Sequence, residues 1–139
     1  MQVLYTAQAT ATGGRDGRVE SSDGVVKHEL SMPKALGGSE KAGSSNPEQL
    51  FAAGYAACFA GAVGLVARQQ KVAVTTVEVT ARVSIGRDDG GLGLAAELAT
   101  RLPGVERATA EKLVEAAHQV CPYSKATRNN IEVKLSVVD

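Results

Sequence analysis

Redox chemistry in this chain would fall to two cysteines, Cys58 and Cys121, which lie 63 positions apart. Cys58 sits inside a charge-free apolar run, where a free cysteine is either a small buried hydrophobe or a nucleophilic thiolate. Burial alone raises a thiol pKa, so a thiolate there needs a positive neighbour. The dipole of its own helix fades beyond the first turn and cannot serve. A cation from elsewhere must therefore reach Cys58 if it is reactive. The spacing to Cys121 is neither a C-x-x-C redox motif nor half of a zinc ribbon. His118 and Cys121, at i and i+3, share a helical face and could form half of a metal site. Only His28 and Cys58 remain as further soft ligands, so no metal is expected. No phosphate loop, dinucleotide fingerprint or G-x-S-x-G elbow occurs, and Gly37-Gly38 and Gly90-Gly91 read as turns.

The elements that must position these thiols can be read from periodicity. Residues 3–12 alternate Tyr5, Ala7, Ala9 and Ala11 against Thr6, Gln8, Thr10 and Thr12, predicting a strand with one buried face. Gly13-Gly14-Arg15-Asp16-Gly17 and Ser22-Asp23-Gly24 are turns that set off returning strands at Arg18–Ser21 and Val25–Ser31, a three-stranded meander. Asn46-Pro47-Glu48 starts a helix: Asn as N-cap, Pro at the first helical position, an acid in the first turn. That helix should run to about Gln70 and, being apolar nearly all round, should be covered on most sides. Small residues at Gly54, Ala57, Cys58, Gly61 and Gly64 would let another backbone approach closely. Thr75–Ile85 and Leu92–Leu102 form a hairpin about Asp88–Gly91, with Leu92, Leu94, Ala96 and Leu98 inward. A second helix is capped by Thr109 and ended or kinked by Pro122, with Ile131, Val133, Leu135 and Val137 as the last strand. The order βββ-α-ββ-α-β makes an α+β protein with antiparallel sheets on buried helices.

Composition narrows the function. The chain has 139 residues, 15 Lys+Arg against 15 Asp+Glu, 44% hydrophobic residues and only 4% aromatic ones. Its length suits one domain, residues 1–139. Neutrality argues against a nucleic-acid face and gives no reason to expect an anionic membrane partner. The 18 residues Leu50–Ala67 carry no charge, the lower limit for a spanning helix, but are mostly Ala and Gly. They read as a buried helix, and with no signal-peptide pattern at the N-terminus the expected location is the cytoplasm.

Three blocks carry a resemblance: Gly13-Gly14-Arg15-Asp16-Gly17; Asn46-Pro47-Glu48-Gln49-Leu50-Phe51-Ala52-Ala53-Gly54-Tyr55-Ala56-Ala57-Cys58-Phe59; and Cys121-Pro122-Tyr123-Ser124-Lys125-Ala126-Thr127 through Asn130-Ile131. Together they resemble the organic hydroperoxide resistance (Ohr) family of the wider OsmC-like superfamily, in order along essentially the whole chain. The Cys-Pro-Tyr-Ser block is similar to the Ohr branch more than to the OsmC branch. The resemblance implies an OsmC/Ohr-like fold, with sheets wrapped on long central helices in an intertwined homodimer. It also implies a Cys-based peroxidase without metal or haem. Cys58 matches the peroxidatic position and Cys121 the resolving one, Arg15 the arginine that stabilises the thiolate, and Glu48 the acid that orients it. Alone, Arg15 would be a solvated turn residue and Glu48 an ordinary first-turn acid. The implied substrates are alkyl and fatty-acid hydroperoxides, and the implied co-substrate is a dithiol, dihydrolipoamide or a lipoylated protein. An OsmC-type peroxidase of broader preference and a non-catalytic redox sensor are the alternatives, with two inert structural thiols as the last.

Helix geometry adds an expectation of its own. Glu48 and Cys58 are ten residues apart, ~15 Å along a continuous helix and turned ~80° from each other. They cannot line one pocket of one subunit, so the site should be shared: Cys58 from one subunit, Arg15 and Glu48 from the other. The small-residue stripe would then be the dimer seam. An apolar pocket framed by Leu50, Phe51, Phe59 and Tyr123 would suit organic hydroperoxides better than hydrogen peroxide.

Overall fold

A computed structural model describes residues 1–139. The chain divides into two compact units, Met1–Leu50 and Phe51–Asp139. The first holds three short antiparallel strands, β1 (Ala9–Thr12), β2 (Arg18–Ser21) and β3 (Lys27–Glu29), in the order β1-β2-β3. The expected meander is present, but β1 is only its last four residues, and every residue from Met1 to Gly14 is exposed. Its alternation therefore buries nothing within the chain. Across Met1–Leu50 only Leu30 and Ser31 are buried.

α1 (Pro47–Gln69) begins where expected and runs unbroken across the division. Asn46 Oδ1 accepts from the Gln49 backbone N–H at 2.8 Å, satisfying one of the free donors of the first turn. Lys71, in the left-handed region at φ 55°, closes its C-terminal end, with the Val72 N–H donating to the Ala67 carbonyl at 2.9 Å.

The second unit contains β4 (Glu78–Asp88), β5 (Gly91–Arg101), α2 (Arg107–Val120), α3 (Pro122–Thr127) and β6 (Val133–Val138). β4 and β5 pair antiparallel from Glu78↔Arg101 to Asp88↔Gly91, closed by a two-residue turn in which Asp88 Oδ1 accepts from Gly90 N–H. β6 pairs parallel to β5, from Ala96↔Val133 to Arg101↔Val138. The expectation of wholly antiparallel sheets is corrected here. α2 and α3 form a crossover that returns the chain to the starting end of β5, and such a connection produces a parallel neighbour. The second helix starts earlier than expected: Glu106, not Thr109, is its N-cap, accepting from the N–H groups of Ala108 and Thr109 at 3.0 Å each.

The core lies in this second unit. Tyr55, Phe59, Ala62, Val63, Val66 and Ala67 recur at helical spacing on one face of α1 and meet Ala96, Leu98 and Leu102 of the sheet and Ala110, Leu113, Val114 and Ala117 of α2. Cys121 completes the cluster. Leu92 and Leu94 are exposed, not inward, because this end of the hairpin extends past the helices that cover Ala96 and Leu98. α1 is not covered on most sides either: Ala53, Ala57, Gly61 and Leu65, four residues apart, are all exposed.

Candidate active site

The first pair of expected site residues belongs to Met1–Leu50. Arg15 sits in a single 3-10 turn, Gly14–Asp16, entered through Gly13 in the left-handed region at φ 80°. Gly17, which follows, is required for space: a Cβ there would lie 1.7 Å from the Thr12 carbonyl oxygen. Asp16 Oδ1 accepts from Met32 N–H at 3.0 Å and ties the turn to the next loop. So fixed, Arg15 donates both terminal nitrogens to Glu48, at 2.9 Å to Oε2 and 2.7 Å to Oε1. This fork is the strong form of the ion pair. Hydrogen bonding from Arg15 holds the Glu48 carboxyl below the usual range, and Glu48 in turn raises the guanidinium further. The Glu48 side chain is 13% exposed and that of Arg15 is 36% exposed, so the guanidinium keeps an open face.

The second pair belongs to Phe51–Asp139. Cys58 on α1 is partly exposed and Cys121 fully buried; both are free thiols, with their sulfurs 3.6 Å apart. That is hydrogen-bond distance for two thiols and not a disulfide. Cys121 occupies the extended residue between α2 and α3, at φ −65° and ψ 124°, as the residue before Pro122 must. Burial pushes the Cys58 thiol up; the Tyr123 backbone N–H works against this by favouring the thiolate, and the Cys121 thiol raises it again. Within this unit no cation assists Cys58.

Aromatic rings from the two stretches that carry the thiols pack on one another. Phe51 and Tyr123 have ring centres 6.2 Å apart, and Tyr55 lies 5.7 Å from Tyr123. Phe59 is fully enclosed in the core, while Leu50 belongs to the other unit. Gly54 admits not a backbone but a ring: a Cβ would lie 3.0 Å from the Tyr123 hydroxyl. His118 does not join Cys121 as a ligand. Its Nδ1 lies 2.9 Å from Ser124 Oγ, and nowhere do three His, Cys, Asp or Glu side chains converge as a metal site would need. Burial lowers the His118 pKa, with the Arg128 charge adding to the effect.

Sequence reasoning missed the polar cluster behind the sulfurs. Tyr55 Oη lies 2.9 Å from Ser124 Oγ and 3.1 Å from Thr127 Oγ1, all three residues being buried. A lone tyrosine in a run of Ala and Gly was the available signal, since a buried phenol needs a hydrogen-bond partner.

Comparison with known proteins places these features. A family model described as OsmC-like protein matches residues 38–136. The Organic hydroperoxide resistance protein of Xanthomonas axonopodis pv. citri is 53% identical over 98% of this chain and 96% of its own length. A crystal structure of an organic hydroperoxide resistance protein from Elizabethkingia anophelis superposes with a TM-score of 0.92 at 53% identity, covering 100% of this chain and 99% of that one. That of OhrB from Bacillus subtilis gives 0.88 at 46%, covering 98% and 100%. The chain belongs to the OsmC-like family and, within it, to the organic hydroperoxide resistance proteins.

Proposed function

We propose that this protein is a thiol-dependent peroxidase that reduces alkyl and fatty-acid hydroperoxides to alcohols. The observation that carries the reading is the pair of free thiols at 3.6 Å, one reachable from solvent and the other enclosed. The names of the relatives supply the substrate class. In the first step the Cys58 thiolate attacks the terminal, proton-bearing oxygen of the hydroperoxide. The O–O bond breaks, the alkoxide leaves and takes up a proton as alcohol, and Cys58 becomes a sulfenic acid. Cys121 then displaces that hydroxyl as water and forms the Cys58–Cys121 disulfide. A dithiol, dihydrolipoamide or a lipoylated protein, reopens it by exchange.

The thiolate is the difficult species, because its own surroundings push the Cys58 pKa up. The Arg15 guanidinium is the cation suited to the task, being held by Glu48 with one face open. α1 is unbroken from Pro47 to Gln69, which puts Glu48 ~15 Å from Cys58 along its axis. In this reading Arg15 and Glu48 therefore act on the Cys58 of a partner subunit in a homodimer. Phe51 and Tyr123 offer apolar walls to an organic substrate.

The test is hydroperoxide consumption with dihydrolipoamide. Wild type should turn over many equivalents, Cys58→Ser none, and Cys121→Ser about one before stalling. Activity surviving in Cys58→Ser would sink the mechanism, and a wild type that stops after one equivalent would be a sensor.

A further inference from the structure

The two sulfurs form one of two matched contacts between α1 and the segment made by α3 and its N-cap, Cys121. Tyr55 precedes Cys58 by three residues on α1, and Ser124 follows Cys121 by three at the start of α3. On α1 residues three apart lie on one helix face, so Tyr55 stands one turn from Cys58, while Ser124 lies in the first turn that Cys121 caps. The oxygens are 2.9 Å apart and the sulfurs 3.6 Å. Tyr55 Oη also meets Thr127 Oγ1 at 3.1 Å, and Ser124 Oγ meets His118 Nδ1 at 2.9 Å. One phenol thus ties α1 to both turns of α3, and Ser124 ties α3 to the last turn of α2. No step of the reaction above uses any of these groups.

We propose that Tyr55 and Ser124 are positioning residues for the resolving step, their hydrogen bond holding α3 on α1 so that Cys121 stays within reach of an oxidised Cys58. The inference rests on the peroxidase reading. In that step the Cys121 sulfur bonds to the Cys58 sulfur, the S–O bond of the sulfenic acid breaks, and the hydroxyl leaves as water with the Cys121 proton. The sulfurs must close from 3.6 Å to ~2.05 Å, so a small slip of α3 matters. A sulfenic acid not met in time is exposed to a second hydroperoxide, which takes it irreversibly to sulfinic acid. The contact therefore sets a competition between disulfide and sulfinic acid at Cys58.

Tyr55→Phe removes a single oxygen and leaves no buried partner unpaired. Ser124 keeps His118, and Thr127 keeps the carbonyls of Tyr123 and Ser124 at 3.0 and 3.2 Å. Ser124→Ala probes the same contact from the other side. Each reduced protein would be mixed with cumene hydroperoxide and quenched over time. Mass spectrometry would then measure dimedone-trapped sulfenic acid, sulfinic acid and disulfide, beside peroxide loss. Peroxide loss in the first turnover should match wild type. Disulfide formation should slow roughly fivefold, the rate equivalent of one neutral hydrogen bond, and sulfinic acid should accumulate. The double variant should be no slower than Tyr55→Phe. Disulfide formation at the wild-type rate in both single variants overturns the proposal, as does equal slowing of oxidation and resolution. A wild type that consumes no cumene hydroperoxide, or consumes it without a Cys58–Cys121 disulfide, overturns the peroxidase reading as well.

Discussion

Arg15 and Glu48 show how much of a site is decided by single side chains. The Glu48 carboxyl is held below its ordinary value by the Arg15 fork, so the ion pair stabilises the fold fully above the unfolded carboxyl pKa of about 4.3. That contribution is lost as pH falls through the lower, folded value. Urea titrations of wild type and Glu48→Gln should differ by on the order of 1 kcal/mol or less between pH 5 and 8. The gap should close in more acidic solution; a gap that persists there would show that the pair is not its source. Cys58 supplies the complementary test. Its own unit raises its pKa, whereas Arg15 of a partner would lower it. Iodoacetamide alkylation followed against pH should have its midpoint lower in wild type than in Arg15→Ala. Equal midpoints would remove Arg15 from the thiolate.

Elements transmit these demands through a few backbone positions. Gly17 leaves no room for a Cβ against Thr12, so Gly17→Ala must shift the turn that presents Arg15. Its expected cost is about 2 kcal/mol, as for other overpacked sites, with peroxidase activity falling further than thermal stability does. Unchanged activity in a folded Gly17→Ala would mean that the Arg15 turn is not part of the site. The same scale shows what a sequence can and cannot disclose. The Asn46-Pro47 start of α1 and the break at Cys121-Pro122 were readable because capping and proline chemistry are local. The direction of β6 was not, since periodicity is identical in parallel and antiparallel strands and only the crossover decides. The outward Leu92 and Leu94 escaped for a related reason: alternation identifies a face, not whether a helix lies over it. Tyr55 and Ser124 are 69 residues apart, and no local pattern pairs them.

For the molecule as a whole, the amount of apolar surface left open is the deciding quantity. Met1–Leu50 buries one large apolar side chain, Leu30, while Val3, Leu4, Tyr5 and Val25 are each more than half exposed. Ala53, Ala57, Gly61 and Leu65 leave one face of α1 open as well. So small a buried core cannot offset the conformational entropy of ordering the first unit. In the proposed reading, a second copy of the chain is the cover that would also supply Cys58 with Arg15. Gly61 tests the seam, because a methyl group added to it would meet nothing within 4 Å in its own chain. Gly61→Leu, on this exposed stretch of α1, should therefore leave a lone subunit folded but split the proposed dimer in sedimentation equilibrium. Subunit mixing tests the shared site itself. Cys58→Ser and Glu48→Ala homodimers are each expected to be inactive or nearly so. A heterodimer of the two has one site with both defects and one with neither, and should recover up to about half of the wild-type activity per dimer. If each site drew Cys58 and Glu48 from the same subunit, every site in the mixture would carry a defect. Mixtures that exchange subunits yet stay inactive would therefore return the whole site to one chain.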